Sequence, residues 1–150
     1  HITDPVMVNK LYEASAAGVD IDLVVRGNCS LVTGIPGVSN NIRIHGIIDR
    51  YLEHSRIFVF AAGGEEKVFI GSADWMPRNL DNRVEVITPV YDTVIKEEMK
   101  RVVEYGLADT MQGRIVDGRG GNEFWTSEDG SLFRSQEALY NYYLAENQKD

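Results

Sequence analysis

Short apolar runs between residues 42 and 88 constrain the fold of this chain more than any other feature of its sequence. They are rich in isoleucine, valine and phenylalanine, and they occupy positions 42–48, 57–60, 68–70 and 84–87. Runs of this length and composition are typical of strands in a buried sheet, whereas an amphipathic helix needs a longer pattern with a period of about 3.6 residues. The stretch predicts a strand, a short helix, a hairpin and another strand.

Polar side chains flank these runs, and one of them, Glu85, lies within the last run. They are His54, Arg56, Ser72, Asp74, Arg78, Asn79, Arg83 and Glu85. Side chains at the ends of strands can converge on a ligand while the sheet holds them rigidly in place. The placement of these residues is therefore the first indication of chemistry in the chain.

The rest of the sequence predicts helices around these strands. Asp4, Pro5 and Gly18 carry the start and stop signals of a helix over 4–17. The further predicted elements are a strand over 20–25, a helix over 92–107 that buries Val94 and Ile95, a short strand with a hairpin-like excursion within 113–134, and a last helix capped by Ser135. Helix and strand segments in this order indicate α/β layering.

Length and charge limit the classes of function. The 150 residues suit a single domain over 1–150, and no apolar run approaches the roughly 20 residues of a membrane span. The net charge of −8 argues against a general nucleic-acid or membrane-surface binder. The single cysteine, Cys29, fits a reducing cytoplasm.

Arginines are nevertheless concentrated between residues 26 and 83. An acidic protein can contain a local cationic pocket, and arginine suits the planar recognition of phosphate or carboxylate. Arg26 follows the predicted strand over 20–25. It is expected either to bind phosphate at the edge of the sheet or to form a salt bridge with a neighbouring acid.

His54 and Arg56 are two positions apart, a spacing that places both side chains on one face of a strand. An imidazole beside a cation can attack phosphorus or pass a proton while the cation neutralises the phosphoryl oxygens. Ser72 and Asp74 bring a hydroxyl and a carboxylate toward the same edge. Asp74 is expected to orient the histidine, to hold Mg²⁺ or to cap the following turn. His45 is predicted to be structural.

Two family resemblances bear on these residues. The order His54-x-Arg56 followed by Gly71-Ser72-x-Asp74 is similar to half of the phospholipase D superfamily pattern, HxK with a later GSxN. A closer resemblance runs to about residue 110 through LYEASAAGVDIDLVVRG, IPGVSNNIRI, RYLEHSRIFVF and GSADWMPRNLDNRVEV. These segments resemble the C-terminal domain of bacterial polyphosphate kinase, which reversibly moves the terminal phosphate of ATP onto polyphosphate.

This resemblance implies a phospholipase D-like layered α/β fold, with a mixed β-sheet flanked by helices. It also implies that the chain is the second of two such domains, and that the histidine that becomes phosphorylated lies in the preceding domain. Arg26 and His54 match the family's ATP-phosphate ligands, and His54 is the catalytic candidate. The expected supporting residues of the pocket are Arg56, Ser72, Asp74, Arg78 and Asn79.

The resemblance further implies ATP or ADP and inorganic polyphosphate as substrates, with Mg²⁺ held mainly outside this chain and no metal ligand within it. Expected partners are the preceding domains and further copies of the full-length protein, but neither nucleic acid nor a membrane span. The expected location is the cytoplasm, with membrane association of the full-length protein left open. The isolated chain is expected to be inactive.

Two other functions remain open at this stage. One is a phospholipase D-like phosphodiesterase or nuclease that pairs two half-sites in a dimer and uses His54 as nucleophile. The other is a non-catalytic binding or oligomerisation module that docks a partner through the tyrosines of its last helix.

Overall fold

A computed structural model describes residues 1–148 of the chain. The helices are α1 (Pro5–Ala16), α2 (Pro77–Leu80), α3 (Thr93–Leu107) and α4 (Ser135–Glu146). The strands are β1 (Ile21–Val25), β2 (Ile42–Ile47), β3 (Ile57–Phe60), β4 (Lys67–Gly71), β5 (Ile87–Val90) and β6 (Gly113–Ile115). The single domain expected over 1–150 includes two final residues that lie outside the described part of the chain. Among the described residues, no helix is long and apolar enough to cross a membrane.

The strands form two sheets of three strands each. In the first sheet β1 pairs in parallel with β2, and β2 pairs antiparallel with β6. In the second sheet β3, β4 and β5 pair antiparallel in chain order. The predicted α/β fold with a mixed sheet is confirmed, and its strands are divided between a mixed and an antiparallel sheet.

Helix α3 connects the two sheets, because it packs against β1 and β2 of the mixed sheet and also against β3 and α4. On the mixed sheet, Val8 of α1 joins a buried cluster with Val25, Ile42 and Ile44. Burial of aliphatic side chains of this size stabilises a fold by about 1.5–3 kcal/mol each. The carboxyl end of β1 and the ends of β3 and β4 are thereby held on a packed support.

Several local predictions were wrong. Residues 48–56 form no short helix; they have neither helical nor strand structure. Ser135 is the first residue of α4 and does not cap it. In α3, Val94 and Ile95 are 69% and 47% exposed, because the helix turns its first apolar residues away from the sheets. The second sheet is also less buried than its composition indicates, since Phe60 and Ile87 are both about half exposed.

A buried carboxylate, Asp109, joins the end of α3 to the start of α4. Its Oδ1 accepts hydrogen bonds from the backbone amides of residues 111, 112 and 113, at 2.9, 2.7 and 3.2 Å. Its Oδ2 accepts from the backbone nitrogen and the hydroxyl of Ser135, at 2.8 and 2.6 Å. Burial alone raises the pKa of Asp109, but these hydrogen bonds outweigh burial and lower it. Asp109 therefore fixes where α4 begins.

Replacing this carboxylate is expected to destabilise the chain. Asp109→Asn should lower the free energy of unfolding at pH 7 by about 2–4 kcal/mol, because an amide cannot accept all five hydrogen bonds and places its own N–H groups against buried donors. Asp20→Asn, at an exposed position between α1 and β1, is the matched control. Urea unfolding measures both variants. Equal stability of the two would contradict this role for Asp109.

Candidate functional site

Three charged side chains meet where strands of the two sheets end. Arg26 follows β1, Arg56 precedes β3, and Asp74 lies three residues beyond the end of β4. Their side chains are 12%, 14% and 5% exposed, respectively. The apolar strands thus bring together charges that are 18 and 48 residues apart in the sequence.

The Asp74 carboxylate connects the two arginines. Its Oδ2 accepts from Nη2 of Arg26 at 3.0 Å and from Nη2 of Arg56 at 3.1 Å. Its Oδ1 lies 3.1 Å from the amino nitrogen of His1. One carboxylate therefore holds two guanidinium groups that would otherwise repel each other, and it joins the edges of both sheets.

The charge state of Asp74 follows from these contacts. Burial raises the pKa of a carboxyl group, but hydrogen bonds, led by that from Arg56 and including that from Arg26, lower the pKa of Asp74 to about 2. The group is therefore ionised throughout the physiological pH range. Both of its oxygens contact cationic or donor groups, so Asp74 is poorly suited to bind a metal ion as well.

His54 lies beside this cluster, exposed at the surface in the irregular segment 48–56. Nη1 of Arg56 lies 3.0 Å from Nδ1 of His54 and donates to the His54 backbone oxygen at 2.7 Å. The same Nη1 lies 3.3 Å from Nε2, so Arg56 approaches both nitrogens of the His54 ring. Arg56 therefore contacts His54 with one terminal nitrogen and Asp74 with the other.

A second group of hydrogen-bonded polar residues lies near this cluster. The hydroxyl of Ser72 donates to Oε2 of Glu85, and Nδ2 of Asn79 donates to Oε1 of the same carboxylate at 2.8 Å. These two hydrogen bonds, led by that of Ser72, lower the pKa of Glu85. Glu85 was assigned no role from the sequence. The only signal for it was its position among the polar residues that flank the apolar runs.

All of the residues proposed from the sequence line one open cleft with a volume of about 960 Å³. They are Arg26, His54, Arg56, Ser72, Asp74, Arg78 and Asn79, and Arg83 and Glu85 line it as well. The cleft is lined by four arginines and by three carboxylates, those of Glu53, Asp74 and Glu85, so its formal charge is 4 − 3 = +1 within an acidic chain. Such a surface suits a polyanion.

The three roles expected for Asp74 can be compared with its contacts. Its carboxylate reaches His54 only through Arg56, and the following turn is closed by its backbone oxygen, which accepts from the Met76 amide at 2.9 Å. In the described part of the chain, no group of three or more His, Cys, Asp and Glu residues is placed to hold a metal ion. The described residues therefore offer no ready-made cluster of metal ligands.

His45, predicted to be structural, lies apart from the cleft in β2. It is buried, its ring contacts Trp125 with centroids 4.4 Å apart, and burial lowers its pKa. Its Nδ1 has no hydrogen-bond partner among the described residues. A buried neutral histidine packed against an indole ring is consistent with a structural role.

The sequence and the fold both match known proteins. Residues 1–136 match the family described as polyphosphate kinase C-terminal domain 2. The chain is 41% identical over 142 residues to a polyphosphate kinase of Escherichia coli K12 and 44% identical over 142 residues to one of Vibrio cholerae, matches that include 95% of this chain. It spans only about a fifth of those proteins, 21% and 20% of their lengths.

A crystal structure of polyphosphate kinase from Porphyromonas gingivalis has the same fold. It superposes with a TM-score of 0.92 and 42% sequence identity over 99% of this chain, which corresponds to 23% of that structure. The phospholipase D-like α/β fold implied by the resemblance is confirmed by this match. It also confirms that the long motif GSADWMPRNLDNRVEV identified the relationship correctly.

The Asp74 ion pairs imply that the stability of the fold depends on pH. A pKa of about 2 in the folded chain lies below the value of about 3.9 for an unfolded aspartate, so these pairs stabilise the fold fully above about pH 4 and are lost as the pH falls through about 2. Titration of the Asp74 carboxyl carbon by NMR should give a midpoint near 2, with the signal assigned through Asp74→Asn. A midpoint near 3.9 would contradict the two-arginine arrangement.

Proposed function

The chain belongs to the family of the polyphosphate kinase C-terminal domain 2, and we propose that it is the C-terminal, phospholipase D-like catalytic-half domain of a longer ATP:polyphosphate phosphotransferase. In this proposal the domain comprises residues 1–150. It supplies Arg26 and His54 to the phosphates of ATP, while a phosphohistidine in a preceding domain carries the transferred phosphoryl group. The observation that carries the proposal is the linked arrangement of Arg26, Asp74, Arg56 and His54 in one cationic cleft.

The two arginines have different roles. Arg56 directs one terminal nitrogen to His54 and the other to Asp74, so its position is set by the protein. Among the hydrogen bonds found within residues 1–148, Arg26 donates only through Nη2, and the acceptor is Asp74. The rest of its donor fork remains for an anion in the cleft. Arg26 is thus the principal phosphate ligand, and Arg56 keeps His54 beside it.

Phosphoryl transfer depends on charge neutralisation and on alignment of the attacking and leaving oxygens. A guanidinium fixed by Asp74 neutralises phosphate oxygens without having to reorganise during the reaction. His54 is exposed next to it and can donate a hydrogen bond to a phosphate oxygen or assist proton transfer. Arg78, Asn79 and Ser72 line the same cleft and support the pocket.

The cofactor and partners follow from the same proposal. ATP or ADP and polyphosphate are the substrates, and Mg²⁺ accompanies the nucleotide, held mainly by residues outside this chain. The preceding domains complete the cleft, and the full-length protein forms a homo-oligomer in the cytoplasm.

A substitution of Arg26 tests the phosphate contact. Within the longer protein, Arg26→Gln should reduce kcat/KM for ATP by about 10- to 100-fold, the effect expected from loss of a charge-assisted hydrogen bond to phosphate. Arg43→Gln is the matched control, because Arg43 forms an exposed ion pair with Asp22 away from the cleft. Unchanged kinetics for Arg26→Gln, or equal losses in both variants, would contradict the assignment.

A second experiment separates the proposed transferase from a phosphodiesterase that uses His54 as nucleophile. Incubation with ATP labelled in the γ-phosphate should label the longer protein, and His54→Ala should slow transfer to polyphosphate without abolishing that labelling. The 150-residue chain alone should not be labelled and should not cleave a phosphodiester reporter. Labelled phosphate found on His54 would contradict placing the phosphohistidine in a preceding domain, and diester cleavage that is lost in His54→Ala would favour the phosphodiesterase.

A further inference from the structure

The segment that carries His54 has no regular structure of its own, yet its backbone is held in place by residues far away in the sequence. Residues 48–56 lie between β2 and β3 and contain both His54 and Arg56. Their contacts with the start of α4 join residues that are 83 to 85 positions apart. We name Arg134, Ser135 and Gln136 the 134–136 clamp.

The side-chain amide of Gln136 directs both of its N–H donors and one of the two lone pairs of its oxygen to this segment. Its Oε1 accepts from the backbone nitrogen of Tyr51 at 2.8 Å, and its Nε2 donates to the backbone oxygen of Tyr51 at 2.8 Å. The same Nε2 donates to Oε1 of Glu53 at 2.6 Å. The Gln136 side chain is buried, with the residue 8% exposed, while the Tyr51 side chain points to solvent. The contact therefore recognises the backbone of the segment directly before His54.

The other two clamp residues hold the segment and the start of α4, respectively. Arg134 binds Asp49 in a bidentate ion pair, with Nε to Oδ2 at 2.9 Å and Nη2 to Oδ1 at 2.6 Å. This pair lowers the pKa of Asp49. Ser135 is bound through its backbone nitrogen and hydroxyl to the buried Asp109. The clamp thus rests on α3 at one end and holds residues 49–53 at the other.

From these contacts we propose that Gln136 is a positioning residue for the phosphate site, acting through the backbone of Tyr51 and the side chain of Glu53 to set where His54 and Arg56 lie. The inference rests on the proposed function for the identity of the ligand, while the clamp can be tested without any ligand. Helix α4 itself gains nothing from the bonds to Tyr51, because they satisfy no backbone group of the helix.

The test compares Gln136→Leu with Gln148→Leu, a control at the exposed end of the described chain. The first change removes all three hydrogen bonds to residues 51 and 53, and the second leaves them intact. Gln136→Glu keeps the acceptor for the Tyr51 amide, removes both donors and places a second carboxylate against Glu53. Amide hydrogen exchange and NMR signals are measured on the isotope-labelled 150-residue chain, and inorganic tripolyphosphate is the probe for binding.

In Gln136→Leu the Tyr51 amide should exchange at least about tenfold faster than in the unsubstituted chain, while the amides of β2 keep their protection. The ring signals of His54 and the guanidinium signals of Arg56 should shift, and the Kd for tripolyphosphate should rise about tenfold. Gln136→Glu should give changes of the same kind, because it removes both donors and repels Glu53, and Gln148→Leu should give none. If the amides of β2 also lose protection in Gln136→Leu, that variant has disturbed the sheet itself. Gln136→Glu alone then tests whether Gln136 positions His54 and Arg56.

The proposal is overturned if the Tyr51 amide keeps its protection in the Gln136 variants. It is equally overturned if Tyr51 is freed while the His54 and Arg56 signals and the tripolyphosphate affinity stay unchanged, since Gln136 is then only structural. If the unsubstituted chain binds no tripolyphosphate, the proposed phosphate site loses its support. In that case the exchange rates and the NMR signals of His54 and Arg56 alone test whether the clamp positions these two residues.

Discussion

The ion pairs of Asp74 are the interaction on which the candidate site depends. The carboxylate accepts from Arg26, which follows a strand of the mixed sheet, and from Arg56, which precedes a strand of the antiparallel sheet. Both guanidinium groups are nearly buried and approach the same carboxylate oxygen. Without this shared counter-charge they would repel each other and would lose hydration without compensation. With it, the donors of Arg26 are fixed in direction before any anion arrives. The edge shared by the two sheets thereby becomes an anion-binding surface within an acidic chain.

The fold supports this interaction from two sides. Helix α3 packs against both sheets, so the strands that end at Arg26 and Arg56 have a common base. At the far end of α3, Asp109 fixes the start of α4, and the 134–136 clamp reaches from there to the irregular segment that carries His54. A residue in a segment without helix or strand can thus be placed as firmly as one in a sheet, because buried polar contacts replace the missing ladder of backbone hydrogen bonds.

Much of this arrangement could be predicted from the sequence, and the parts that could not have a common cause. Apolar runs identified most strands, and residues at the strand ends share a cleft because neighbouring strands end at one edge. Predictions from the local sequence pattern were wrong where contacts between residues far apart in the sequence decide the structure. Residues 48–56 were predicted to contain a helix because nothing nearby reveals that Gln136 holds their backbone. Ser135 resembles a cap, but its hydroxyl binds Asp109. The role of Glu85 likewise depends on Ser72 and Asn79 lying opposite it.

The central claim, that Arg26 and His54 together bind a phosphate chain, is tested most directly by titrating the isotope-labelled chain with inorganic tripolyphosphate and observing its arginine and histidine side chains by NMR. The account predicts saturable shifts of the Arg26 guanidinium and the His54 ring at the same ligand concentration, with the exposed Arg43 guanidinium unaffected. Shifts confined to Arg43 and other surface cations, or shifts of Arg26 and His54 that saturate at different concentrations, would contradict it.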